Sequence, residues 1–464
     1  MATNYNYFGN LVTSGLVLNL DAAKVDSYPG AGTVWRDISG NGNNGTLTNG
    51  PTFTGIGKQA AIVFDGTDDY VTGSVINATT ELSVFSFRNP KPRPGSVYPV
   101  LIGKWFVTPG DNRSWLIGSQ PGGIESVVIS SDGTYFNSTI KRYEFSSSFS
   151  NNIWSQVGFT FNNGVLIPYL NGAPVNYTAS INANITRIHT SSIGYTIGSA
   201  QDGAFNLYFS GSVASSQIYN RAISQFEVWQ NFNALKGRYG IPDIVTNGLV
   251  LNLDAGNPFS YLSGSSGTTW TNTVTVSSSI SGTLVNGSVY ANGAISFDGV
   301  DDRIGTNYSP TSYINTTQII WYKWNGVNQL KVLSYFGNSG GNGFGLLLND
   351  GSDGGNVGSR ISVLYGGTYY NALNTGSLYA QLVSNQWCQL ALTRDSSITT
   401  LYQNGNLIGS TSRTPNTSAS YNFSYGDTTV GAAGNVSNMQ FYTRVLSQAE
   451  ITQNFNALRG RYGI

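Results

Sequence analysis

The 464-residue sequence is short of charge, histidine, cysteine and glutamate, and each shortage removes a class of chemistry. Charged residues make up 10% of the chain, and 23 basic residues cancel 23 acidic ones. A nucleic-acid partner is therefore not expected, because phosphate contacts need a surplus of Lys and Arg. The single histidine is His189 and the single cysteine is Cys388. No Ser/His or Cys/His pair can recur in two halves of such a chain, and no Cys/His zinc cluster can form. One cysteine also excludes an intramolecular disulfide. No run of about 18 apolar residues occurs, so no membrane insertion is expected. The opening Met1-Ala-Thr-Asn-Tyr has neither the basic nor the apolar region of an export signal, which leads us to expect a product made in the cytoplasm.

What is present points to β-structure. Hydrophobic residues at 40%, 13% of the chain being aromatic, supply cores and argue against disorder. The 57 glycines, with abundant Asn, Ser and Thr, supply turns and a neutral polar surface. Self-comparison then organises the chain. Leu11-Val-Thr-Ser-Gly-Leu-Val-Leu-Asn-Leu-Asp-Ala22 returns 233 residues later as Ile244-Val-Thr-Asn-Gly-Leu-Val-Leu-Asn-Leu-Asp-Ala255. The same offset carries Phe64-Asp-Gly-Thr-Asp-Asp69 onto Phe297-Asp-Gly-Val-Asp-Asp302, Tyr169-Leu-Asn-Gly172 onto Tyr402-Gln-Asn-Gly405, and Trp154 onto Trp387. The closing motif, Asn231-Phe-Asn-Ala-Leu-Lys-Gly-Arg-Tyr-Gly-Ile241, returns as Asn454-Phe-Asn-Ala-Leu-Arg-Gly-Arg-Tyr-Gly-Ile464 at an offset of 223. The second repeat is thus ten residues shorter, the loss falling opposite roughly Gln201–Ser210. Two domains follow, 1–241 and 242–464.

Within the first repeat, Leu16–Leu20, Ala61–Phe64, Val127–Ile129, Gln156–Phe161 and Leu166–Leu170 read as strands. Asn-Gly pairs at Asn49, Asn163 and Asn171 mark tight turns, since both residue types tolerate positive φ. One helix is expected at the end of each repeat. Ser224-Gln-Phe-Glu227 and Ser447-Gln-Ala-Glu450 fit the capping box, in which serine accepts from the third helical amide and glutamate reaches back. Phe226, Val228, Trp229, Phe232 and Leu235 then follow at helical spacing, with Gly237 as the expected stop.

These motifs, in this order, resemble the concanavalin A-like, laminin G-like jelly-roll domains. The resemblance rests on Gly15-Leu-Val-Leu-Asn-Leu-Asp21, Trp35-Arg-Asp-Ile-Ser-Gly-Asn-Gly-Asn-Asn-Gly-Thr-Leu47, Phe64-Asp-Gly-Thr-Asp-Asp-Tyr70, Tyr169-Leu-Asn-Gly172 and Gln217-Ile-Tyr-Asn-Arg-Ala-Ile-Ser224. It implies an all-β protein: two tandem concanavalin A-like jelly-roll β-sandwiches, each ending in a short C-terminal α-helix. The early Leu-Asp-Ala and the closing motif are similar to domains in structural proteins of tailed phages, cyanophages especially. The second repeat departs from the pattern where Trp270-Thr-Asn-Thr-Val-Thr-Val replaces the Trp-Arg-Asp-Ile-Ser-Gly-Asn stretch.

Three groups of side chains are candidates for chemistry. Asp65, Asp68 and Asp69, repeated as Asp298, Asp301 and Asp302, offer the hard oxygens that calcium takes. The competing reading is a tight turn in which the aspartates accept from nearby backbone amides, and on sequence alone it is preferred; no cofactor is required. Trp105 and Trp115 in the first repeat, and Trp321 and Trp324 with Tyr369-Tyr370 in the second, are the densest aromatic sites for stacking sugars. Aromatics on strands serve cores more often than sugar platforms, and the recurring Trp35, Trp154, Trp270 and Trp387 are assigned to the core. Arg88-Asn-Pro-Lys-Pro-Arg-Pro94 reads as an exposed loop or arm, for which an ordinary long loop is the preferred reading and a contact with a neighbouring subunit the alternative.

An enzyme is not expected. Glycoside hydrolysis, the activity this fold suggests, needs two carboxyl groups about 5–5.5 Å or 6.5–9.5 Å apart. Only Glu81, Glu125, Glu144, Glu227 and Glu450 exist, the last two are taken by helix caps, and no Glu-x-Asp-x-x-Glu string of the laminarinase type appears. The expected function is that of a non-enzymatic virion structural protein, decorating the capsid or belonging to a tail or fibre. Its expected partners are other virion proteins in a multicopy assembly, together with host-surface glycans. A free carbohydrate-binding module or adhesin is the alternative, and a glycan hydrolase stands behind both.

Overall fold

Strict alternation in Leu16-Val-Leu-Asn-Leu-Asp21 puts Leu18 and Leu20 on one face of a strand, and both are fully buried. Its repeat, Leu249–Asp254, buries Leu251 and Leu253 in the same way. In the computed structural model the described residues are 10–55, 57, 59–92, 98–106, 110–120, 123–148, 151–202, 205–262, 267–274, 279–327, 329, 331–338, 342–349, 360–365, 379–412, 422–426 and 432–464. They form two compact units, one of residues 1–241 with the last five residues and one of Pro242–Arg459.

Each unit is a pair of antiparallel sheets enclosing its own core. In the first, the long strand Ser210–Tyr219 pairs with Glu81–Pro90 along one side and with Leu16–Asp21 and Ile62–Asp65 along the other. Ser155–Asn162 and Val165–Leu170 extend that sheet beyond Glu81–Pro90. The facing sheet includes, in spatial order, Tyr177–Asn182, Ile140–Ser148, Ile124–Ser130, Trp115–Ser119, Val100–Lys104, Thr196–Ile197 and Tyr70–Gly73. Leu18, Val84, Ile117, Ile129 and Phe159 are among the residues that meet between the two layers. The second unit repeats the plan, with Gly434–Tyr442 flanked by Thr316–Trp324 and Leu249–Asp254. All the strands expected in the first repeat are present, and Asn49, Asn163 and Asn171 take φ of 67°, 46° and 48°. A small ribbon, Gln201–Asp202 with Phe205–Asn206, falls within the stretch by which the second repeat is shorter.

The Trp35–Leu47 motif seals an open strand edge. Among the described residues Leu16–Asp21 pairs on one side only, and an unpaired edge invites association unless it is covered. Asp37 Oδ1 accepts from the Asn19 amide (2.9 Å), while Asn41 and Asn43 donate to the carbonyls of Leu16 (3.0 Å) and Val17 (2.8 Å). In the second unit the shorter Trp270-Thr-Asn-Thr segment does the same work with one amide. Asn272 Oδ1 accepts from the Asn252 amide (2.8 Å) and its Nδ2 donates to the Val250 carbonyl (2.9 Å). An amide can do both because it carries a donor and an acceptor.

Both helices form with complete capping boxes: α1, Gln225–Lys236, behind Ser224 and Glu227, and α2, Gln448–Leu458, behind Ser447 and Glu450. Asn231 on α1 accepts from the Val12 amide (2.8 Å) and donates to the Tyr219 hydroxyl (3.0 Å), which in turn donates to the Val12 carbonyl (3.0 Å). Asn454, Tyr442 and Val245 repeat this triangle. The Asn-Phe-Asn motif therefore ties the helix to the segment before the first strand and to the end of the long strand, with Phe232 stacked on Phe87 at 6.0 Å and Phe455 on Trp321 at 5.7 Å.

Gly237 caps α1 as expected, in right-handed backbone; the chain continues through a 3-10 turn, Gly237–Tyr239, and the left-handed residue is Gly240, at φ 73°. Two expectations are corrected. Trp154 and Trp387 are half-buried rather than core. Trp154 packs against Tyr239 at 4.8 Å, and the Lys323 ammonium lies 5.6 Å from the Trp387 ring. Arg88 belongs to no exposed arm; it lies within the strand Glu81–Pro90, 1% exposed, and pairs with Glu125 at 2.8 Å. Proline stops a ladder but says nothing about the residue two places before it. Lys91 and Pro92 are exposed, whereas Arg93 and Pro94 lie outside the described residues.

Candidate functional site

The two aspartate turns are the first candidate. Ile62–Asp65 ends in one sheet and Tyr70–Gly73 begins in the other, so the Asp65–Asp69 turn sits at the sandwich rim, with Gly66 at φ 81°. Asp65 Oδ1 accepts from the Thr67 amide (2.7 Å), Asp69 Oδ2 accepts from the Asp65 amide (2.9 Å), and Asn49 Nδ2 holds the Asp68 carbonyl (3.0 Å). In the second unit Asp298 accepts from Val300 (2.8 Å), Asp302 from Asp298 (3.0 Å), and Asn286 holds the Asp301 carbonyl (2.9 Å). The turn role preferred from sequence is thus visible in both repeats.

The same turns gather charge. In each triplet an oxygen of every carboxylate lies within 4.8 Å of the others, with the first two residues exposed and the third buried. Burial, and then the neighbouring carboxylates, raise the Asp69 and Asp302 carboxyls above the usual range. Backbone amides hold Asp65 below it. Crowded like charges with hard oxygens fit a divalent cation such as calcium, which would be held by Asp65, Asp68 and Asp69 or by Asp298, Asp301 and Asp302 and would relieve their repulsion.

The tryptophans proposed for sugar stacking are elsewhere. Trp105 and Trp115 are 1% exposed, Trp321 is fully buried and Trp324 is 8% exposed. Trp115 packs against Phe159 in the core, Trp321 lies flat against Phe455, and Trp324 donates its indole hydrogen to the Val327 carbonyl (2.8 Å). None offers a ring face to a sugar, because each indole is spent on packing. Tyr369 and Tyr370 lie outside the described residues.

The glutamates all have structural partners. Glu125 pairs with Arg88 inside the sandwich and accepts from Ser119 (2.5 Å). Glu144 pairs with Arg142 (2.9 Å), and Glu81 accepts from the Ala222 amide (3.2 Å). Glu227 and Glu450 each close a capping box and take a two-pronged Arg contact, from Arg221 and Arg444 respectively. Cys388 is buried, and burial pushes its thiol up to about 12, which leaves no thiolate nucleophile.

Sequence reasoning missed a second cluster, at the other end of the first sandwich. Ile197 pairs with both Val71 and Ile102, so the aspartate turn before Tyr70 and the loop after Lys104 leave the sheet at opposite ends. At the Lys104 end, Tyr135 and Phe136 are 42% and 64% exposed. Trp105 stands edge-on to Tyr135 (5.8 Å), the Arg113 guanidinium lies 5.9 Å from both rings, and Arg113 pairs with Asp111 (2.6 Å). The signal was the string Ser131-Asp-Gly-Thr-Tyr-Phe-Asn137, an Asp-Gly turn carrying two aromatics. Lys104 is buried nearby, with Asn77 and the Ser191 carbonyl as acceptors, and burial lowers its amine to about 8. His189 is partly buried and lowered as well.

No curated protein matches the chain. Among solved structures it is similar to domain 4 of AbnA, a GH43 extracellular arabinanase from Geobacillus stearothermophilus, in complex with arabinotriose. That pair shares 14% identity over 47% of this chain and 98% of the other, with a TM-score of 0.33. The binding domain of Paraclostridial Mosquitocidal Protein 1 shares 13% identity over 88% of this chain and 91% of its own, with a TM-score of 0.37. A Trypanosoma rangeli sialidase in complex with sialic acid shares 11% over 92% and 68%, with a TM-score of 0.35. The pattern that defines the Concanavalin A-like lectin/glucanases superfamily matches residues 65–229 and again 298–452. With both repeats matched across most of their length, this chain belongs to that superfamily.

Proposed function

We propose that the chain is a non-enzymatic surface protein of a phage particle, decorating the capsid or forming part of a tail or fibre, and that it attaches to host glycans. The observation that carries the non-enzymatic part is the engagement of all five glutamates in ion pairs, caps or backbone contacts, with the clustered aspartates serving as turn acceptors. A general acid needs a carboxyl group facing a substrate cleft, and a nucleophile needs a second one at a defined distance. The superfamily membership supports glycan attachment, and the closing Asn-Phe-Asn-Ala-Leu motif supports the phage setting. Many copies on one particle make weak single-site binding sufficient.

Antibody labelling of intact purified phage particles, viewed by electron microscopy, tests the placement. Label on the head assigns decoration, and label on the tail assigns attachment. Particles left bare by an antibody that recognises the native protein would overturn the virion reading in favour of a free binding module. Release of reducing ends from a polysaccharide by concentrated protein, lost on Asp69→Asn, would overturn the non-enzymatic reading.

A further inference from the structure

We propose that the Tyr135–Phe136 face of the first unit, bordered by Asp111 and Asp132, is a binding platform for a neutral pyranoside. The inference rests on the glycan-attachment part of the reading above and names its site.

Four observations converge on it. First, both rings are exposed, and that of Tyr135 is fixed. Tyr135 is braced by the buried edge of Trp105 and by the Arg113 cation, and its hydroxyl accepts from Arg142 (3.3 Å). Exposed aromatics held in place lose little entropy when a ligand stacks on them. Second, the loop beneath is hydrogen-bonded throughout. Ser130 Oγ donates to the Thr134 carbonyl (2.8 Å), the Gly133 amide donates to Ser130 Oγ (3.1 Å), and the Thr139 amide donates to the Phe136 carbonyl (2.9 Å). The Arg113 amide donates to the Gly133 carbonyl (3.2 Å), tying in the neighbouring loop that carries Asp111.

Third, the polar groups beside the rings suit hydroxyls. Asp111 reaches Tyr135 through Arg113, and Asp132 is exposed in the same loop with Oδ1 accepting from the Thr134 amide (2.9 Å). Carboxylates accept from vicinal hydroxyls while aromatic faces take the C–H side of a sugar ring. Fourth, the charges around the rings are mixed: Arg113 pairs with Asp111 and Arg142 with Glu144, while Asp132 acts on the partly buried His189, as do Lys104 and Arg187. No one sign dominates to recruit a charged sugar. Two exposed rings are also far smaller than the roughly 800 Å² per partner of a stable protein interface. The face therefore fits one or two sugar units, and it lies at the end of the sheet away from the aspartate turn.

Affinity electrophoresis of the full chain tests this in native gels cast with dextran, yeast mannan or a soluble galactan. We expect retardation by at least one probe, weakened about tenfold by Tyr135→Ala and by Phe136→Ala. Val289→Ala, at an exposed position of the second unit, should leave it unchanged. The substituted side chains are exposed, and an unaltered Tm for each variant confirms a folded protein. Retardation that survives both alanine variants overturns this site while leaving glycan attachment standing. Retardation by none of the probes overturns the site and glycan attachment together. Self-association of the parent in sedimentation, abolished by Tyr135→Ala, would instead assign the face to a second copy and overturn the proposal.

Discussion

Asp69 and Asp302 each hold a backbone amide within a turn while lying close to two other carboxylates. Because their carboxyls are raised, ionising them costs stability: that cost is absent at low pH and appears as pH rises through the folded value. Asn keeps the acceptor oxygen and removes the charge. In chelator at neutral pH, Asp69→Asn with Asp302→Asn is therefore expected to melt above the parent by a few degrees, equivalent to about 1 kcal/mol. A lower melting temperature would contradict the repulsion argued here. A calcium titration then separates the two roles of the turn: a rise in the parent that the double variant lacks assigns the cation, and no rise leaves only the turn.

At the scale of the element, the helices depend on two carboxylates that each serve several donors. Glu227 and Glu450 are held at about 2, against an ordinary 4.5, chiefly by Arg221 and Arg444 and further by the capping serines. A depressed carboxylate contributes stability above its unfolded value and loses it as pH falls toward its folded one. Acid unfolding should therefore steepen between pH 4.5 and about 2. Glu227→Gln with Glu450→Gln should flatten that window and lower stability at pH 7, read by urea melts at a series of pH values. An unchanged acid limb in the variant would remove these caps as its cause. The edge seals show the same economy of means: Asp37, Asn41 and Asn43 in one repeat and Asn272 in the other satisfy the backbone of equivalent strands.

For the whole molecule, near-zero net charge and 10% charged residues mean that long-range electrostatics contribute little to any encounter. If aromatic stacking carries attachment, retention on a polysaccharide should change less than about twofold between roughly 0.05 and 0.5 M NaCl, because salt screens charges and not ring faces. A steep loss with salt would point to ionic contacts that the platform does not contain.

Sequence alone determined the duplication, the all-β class, the hairpin asparagines and both capping boxes, because each depends on residues close together in the chain. Residue type and spacing suffice for φ-tolerant turns and for a serine three places before a glutamate. Tertiary structure decided what distant residues meet. It buried Trp105, Trp115, Trp321 and Trp324, drew Arg88 into the sandwich beside Glu125, and left Tyr135 and Phe136 exposed at the end of a sheet. Alternation assigns a strand residue to one of two faces but does not say which face is covered. That depends on a second sheet or helix supplied from over a hundred residues away, as Phe455 covers Trp321. The aspartate turns lie between these cases: their amide contacts are local and legible, while the crowding of their carboxylates is set by the folded turn.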